Sequence, residues 1–102
     1  MEREREAGSF ETRLVRVRGR VQGVGYRYAC VRKARELGLT GWVRNCIDES
    51  VEAMLQGSRA QVQRMCEWME HDVPSALVEH IAIAVVHPPY PKFEDFEQLP
   101  TE

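Results

Sequence analysis

Nine residues, Gly19-Arg20-Val21-Gln22-Gly23-Val24-Gly25-Tyr26-Arg27, link a strand-patterned stretch to a helix-patterned one. Positions 20–25 hold no Ser, Thr, Asp or Asn. The first backbone N–H groups of the helix therefore lack a side-chain acceptor. Gly23 and Gly25 let the backbone curl so that successive N–H groups converge, as in an anion-binding nest. The helix dipole adds partial positive charge at the same place. Arg27, in the first helical turn, can give a bidentate contact to phosphate oxygens. The sum is a phosphate or carboxylate cradle built from Gln22, Gly23, Val24, Gly25, Tyr26 and Arg27. The plainer alternative is a Gly-rich connection whose N–H groups meet water. No Gly-Lys-Ser/Thr ending and no G-x-G-x-x-G spacing occurs, so the loop is not a nucleotide-binding one.

A second segment, Gly41-Trp42-Val43-Arg44-Asn45, places Asn45 at the end of a strand pattern. Asn is common at strand ends as a turn former, and the segment alone leaves both that role and a chemical one open. Trp42 and Arg44 read as cover for a sheet surface. Cys30 and Cys66 fall on apolar helical stripes and read as small core residues. Cys46 has no neighbouring histidine to activate it as a nucleophile. His71, His80 and His87 lack metal-ligand spacing and read as surface residues.

Composition narrows the class. The chain has 102 residues, one domain's worth, with 43% hydrophobic and 29% charged residues. A net charge of -2 implies no bulk attraction to nucleic acid or anionic membrane. No apolar run approaches the roughly 20 residues that span a bilayer. Three cysteines without a CxxC fit a reducing cytoplasm. Eight of the 14 basic residues lie between Arg13 and Arg35, with no acid among them. That run is either a pair of solvated faces or a local anion site.

The elements that must hold these residues follow from periodicity. Residues 1–11 alternate Glu and Arg without an apolar core, reading as a charged flexible arm and not as a signal peptide. Thr12–Gly19 is a half-buried strand in which Val15 and Val17 alternate with Arg16 and Arg18. Gly19–Gly25 reads as loop. Tyr26–Leu37 is a helix with Cys30, Ala34 and Leu37 on one stripe, closed by Gly38. Thr40–Cys46 and Ser50–Gln56 form a hairpin around Asp48. Ser58 caps a second helix with the stripe Val62, Met65, Cys66 and Met69. Leu77–Val86 is a fourth strand, stopped by His87-Pro88-Pro89. Phe93–Leu99 is a candidate edge strand, and residues 100–102 a tail. The order β-α-β-β-α-β, with right-handed crossovers, predicts an α+β ferredoxin-like plait. It has a four- to five-stranded, mainly antiparallel sheet with both helices on one face.

The loop from Gly19 to Arg27, together with Gly38-Leu39-Thr40-Gly41-Trp42-Val43-Arg44-Asn45, resembles the two signature segments of the acylphosphatase family. The resemblance continues through Ser50-Val51-Glu52-Ala53 and Gln56-Gly57 and covers about residues 12–99. It implies hydrolysis of an acyl phosphate to a carboxylate and inorganic phosphate, without metal or organic cofactor. It also implies that Arg27 and the loop backbone hold the phosphoryl group and that Asn45 positions the attacking water. Gly25 stands where some members carry an aromatic residue. The expected partners are a small acyl phosphate and inorganic phosphate, the latter as product and inhibitor. No nucleic acid or membrane is expected, and the protein should be a cytoplasmic monomer. Two other readings stand beside it. One is a phosphate- or carbamoyl-phosphate-handling module, since this domain type also occurs fused to larger enzymes. The other is a nucleic-acid-binding plait, disfavoured because the first and third strands offer no aromatic for base stacking.

Overall fold

The computed structural model describes residues 10–102. The chain order is β1 (Phe10–Arg20), α1 (Tyr26–Glu36), β2 (Thr40–Asn45), β3 (Val51–Ser58), α2 (Arg59–His71), β4 (Leu77–Val85) and β5 (Phe96–Gln98). The sheet order is β4-β1-β3-β2-β5. The first four strands pair antiparallel, as the ferredoxin-like plait requires, and β5 joins β2 in parallel. Helix α1 packs over β2 and β5, and α2 over β1 and β3. Both helices therefore lie on one face.

Alternation sets which residues reach the core. Val15 pairs with Ala53 and Ile83, and Val17 with Val51 and Ile81. Both valines are fully buried beneath the helices, with Cys30, Ala34, Val62, Met65, Cys66 and Met69. Burial pushes the thiols of Cys30 and Cys66 up, keeping both protonated, as core residues should be. Ser58 caps α2 by accepting from the Gln61 N–H at 3.2 Å. Helix α1 ends with Leu39 N–H donating to Ala34 and Gly38 N–H to Arg35, with Gly38 at φ 77°.

The ends of the other elements differ from those the sequence predicts by up to three residues, β3 running to Ser58 and β5 narrowing to Phe96–Gln98, and three further differences change how the chain packs. First, β1 starts at Phe10, so Phe10 and Glu11, assigned to the arm, are strand residues; the rest of the arm lies outside the described residues. Second, β1 also runs on through Gly19 to Arg20, where a loop is expected. Its register against β4 shifts between Arg18 and Gly19. Gly19 has φ 132°, and a Cβ there would run into the Leu77 carbonyl. A glycine therefore serves close strand approach here instead of ending the strand. Third, the segment after β5 is not a free tail: Leu99 N–H donates to Val43 and Glu102 N–H to Asn45, at 2.9 and 3.1 Å.

The arginine run resolves differently along its length. Arg16 and Arg44 flank the buried Glu52 at 2.7 and 2.8 Å, and Arg18 meets Asp48 at 2.9 Å. Burial alone would push the Glu52 carboxyl up. The hydrogen bonds from Arg16 and Arg44 outweigh it and hold the group below the usual carboxylate range. Lys33 and Arg35 pair with Glu36 and Asp95. Among the described residues, no carboxylate meets Arg20, Arg27 or Arg32 within salt-bridge distance. Arg13 pairs with Glu11 of its own strand, so five of the eight are neutralised, three of them (Arg16, Arg18 and Arg35) by acids from later elements, and among the described residues Arg27 is not.

Candidate active site

Residues 22–25 form a tight turn between β1 and α1. Gly25 is the N-cap of α1 at φ 81°, ψ 18°, a left-handed conformation that costs most side chains energy. No side chain caps the helix, and its first turn contains no acid. Gly23 is also left-handed, at φ 79°. A Cβ at either glycine would meet nothing within 4 Å, so conformation and not crowding selects glycine.

Tyr26 anchors this turn. Its ring is only 1% exposed, and its hydroxyl donates to the Met69 carbonyl of α2 at 2.8 Å. The first residue of α1 is thereby fixed in the core. Arg27 follows it, half-buried.

A cleft of about 140 Å³ opens at this point, lined by Gly23, Gly25, Tyr26, Arg27 and Asn45, with Val21, Tyr28 and Gln98 completing it. Drug-sized ligands occupy roughly 300–1,000 Å³, so this space suits a small anion. Arg27 and Asn45 are 18 positions apart in the chain, yet both line this cleft. Gln22 and Val24 do not line the cleft; Val24 packs against the core.

Asn45 closes β2, opposite Val51 of β3. Its carbonyl accepts from Glu102 N–H on the other edge, so its backbone is braced from both sides. Its side-chain Oδ1 is buried and has no hydrogen-bond partner among the described residues. An unpaired buried acceptor costs about 1–3 kcal/mol, and it marks a place that a bound donor would satisfy.

The Gln22 amide supplies the link between the two halves. Its Nε2 donates to the carbonyls of Cys46 and Ser50 at 3.0 and 2.9 Å. Those two residues bracket the β2–β3 turn, itself shaped by Asp48 Oδ1 accepting from Ser50 N–H and Oγ. Gln22 thus sets the spacing between the glycine turn and the strand end carrying Asn45. Replacing Gln22 with Leu should cost about 1–2 kcal/mol of stability for the lost bonds. It should lower kcat about 10-fold through misplaced groups while phosphate inhibition changes less. Thermal melting with steady-state kinetics checks this; equal losses in kcat and phosphate affinity would show that Gln22 supports the cradle alone.

The sequence brings Arg27, Asn45 and the glycines forward. It gives no sign of Gln98, which reaches the cleft only because β5 docks beside β2. Tyr28 could have been suspected, since it adjoins Arg27 and falls off the Cys30–Ala34–Leu37 stripe; it is 65% exposed.

Comparison with known proteins shows the family of the chain. The acylphosphatase family profile matches residues 13–98. An acylphosphatase from Ralstonia nicotianae is 60% identical over 96 residues, covering 94% of both chains. One from Polaromonas naphthalenivorans is 51% identical over 92 residues, covering 90% of this chain and 91% of its own. Among solved structures, an acylphosphatase from Coxiella burnetii superposes with a TM-score of 0.83 at 32% identity, covering 89% of this chain and 94% of that one. With a family match across most of its length and relatives this similar, the chain belongs to the acylphosphatase family and is an enzyme of that class.

Proposed function

We propose that the cleft hydrolyses acyl phosphates, with backbone N–H groups of the glycine turn that borders it and the Arg27 guanidinium holding the phosphoryl group and Asn45 holding the attacking water. The observation that carries this reading is the unpartnered Asn45 Oδ1 on a residue of the same small cleft as an uncapped helix start and Arg27.

The chemistry asks for little more. Phosphoryl transfer depends mainly on positioning and on stabilising charge on the equatorial oxygens. Converging N–H groups and a guanidinium supply that stabilisation. The carboxylate is a good leaving group and needs no strong general acid. Water oxygen bonds to phosphorus as the bond from phosphorus to the acyl oxygen breaks. The acyl oxygen leaves as carboxylate, and the displaced water proton passes to a phosphate oxygen, giving dihydrogen phosphate. The Asn45 amide can accept from the water through its carbonyl and donate to phosphate through its nitrogen. No metal or organic cofactor takes part in this scheme.

Benzoyl phosphate hydrolysis in the presence of EDTA tests the activity, and phosphate titration followed by backbone amide resonances tests the cradle. Hydrolysis should persist under chelation. Inorganic phosphate should inhibit competitively and shift amides between Gln22 and Arg27. Phosphate inhibition with no movement of these amides would place the phosphoryl group elsewhere.

A further inference from the structure

We propose that the groove between α1 and α2 is the acyl-group subsite of this enzyme and that it favours phosphates of aromatic acids. The proposal rests on the assignment of the phosphoryl group to the small cleft. A cleft of about 140 Å³ leaves little room for an acyl group beside phosphoryl and water, so the acyl group must leave through the mouth. Tyr28 stands at that mouth and is also the first wall of a larger groove of about 680 Å³. The groove follows one side of α1 and faces Trp68 of α2.

Its lining fits a flat ring. Ala29, the smallest side chain of the set, lines the groove beside Tyr28 and Trp68. The Arg32 guanidinium sits 5.9 Å from the Tyr28 ring centroid, and the Lys33 ammonium 5.9 Å from that of Trp68. Two aromatic surfaces with cations over them can take an aryl group by offset stacking and by cation–π contact. Tyr28 is 65% exposed, and that exposure leaves its ring surface open to a ligand.

The test compares kcat/KM for acetyl, benzoyl and 2-naphthoyl phosphate in the wild type and in Tyr28→Ser, Tyr28→Phe and Trp68→Leu variants. Tyr28→Ser should lower the benzoyl-to-acetyl ratio by about five- to ten-fold, in the upper part of the range for one lost aromatic contact. Tyr28→Phe should restore it. Trp68→Leu, which keeps an apolar side chain on α2, should lower the naphthoyl-to-benzoyl ratio. A folded Tyr28→Ser enzyme with both aryl ratios within about two-fold of wild type would overturn the subsite. A wild type inactive on all three substrates would instead overturn the activity itself, and the subsite with it.

Discussion

Asn45→Ala is expected to lower kcat by about 100-fold or more while inhibition by inorganic phosphate stays within a few-fold of wild type. The split follows from where the side chain acts. Asn45 would touch the water, whose placement matters during attack, and the ground-state grip on phosphate belongs to the loop and Arg27. The same substitution should leave stability unchanged or improve it, because it removes a buried acceptor that has no partner among the described residues. Relief of even about 1 kcal/mol would raise Tm by roughly 4–8 °C in a domain of this size. Kinetics and melting of one variant therefore read both halves of the reasoning. A folded Asn45→Ala enzyme with near-normal kcat would return Asn45 to the role of strand-end residue. A large fall in Tm would mean that the Oδ1 is paired in solution.

Arg27→Gln should act on everything the phosphoryl group feels. A charge-assisted contact is worth about 1.5–3 kcal/mol, so phosphate affinity should fall by about 10- to 150-fold. The contact strengthens as charge builds on the equatorial oxygens, and the loss in kcat/KM should reach about 1,000-fold. Arg27 has no carboxylate partner among the described residues, so its removal breaks no ion pair there and the fold should persist. Lysine at this position should recover only part of the loss, since an ammonium cannot make the bidentate fork. Steady-state kinetics with phosphate as inhibitor, checked by circular dichroism, measures this. Normal phosphate inhibition in the variant would move the anion away from Arg27.

Much of this was legible in the sequence because it is local. The alternation of Val15 and Val17, the stripe from Val62 to Met69, the Ser58 cap and the missing cap before Tyr26 each concern a few consecutive residues. The signature segments from Gly19 to Arg27 and from Gly38 to Asn45 carried the family. What escaped depends on partners remote in sequence. Gly19 reads as a loop residue until β4 lies against it. The arginines of β1 read as a free positive face until Glu52 and Asp48 arrive from β3 and the turn before it. Gln22 looks like one more loop residue until its amide meets the carbonyls of Cys46 and Ser50. Gln56 is equally silent: it lies buried, donating to Pro91 and Thr12 and accepting from Phe93, and so ties the segment after β4 down beside β1.

The sheet order has a kinetic consequence. Strand β1 lies between β3 and β4, and its pairing with β4 joins residues as far apart as Arg13 and Val85. The cleft likewise draws on Val21 at one extreme and Gln98 at the other. Contacts of this separation carry their loop-closure entropy into the folding barrier, so folding should be slow for a chain of this length. Before β2 has docked beside the glycine turn, Arg27 and Asn45 line no common cleft. Phosphate at that stage would meet at best half a site, and its tightest binding would come only after the rate-limiting step. Added phosphate should therefore slow unfolding and leave the refolding rate nearly unchanged.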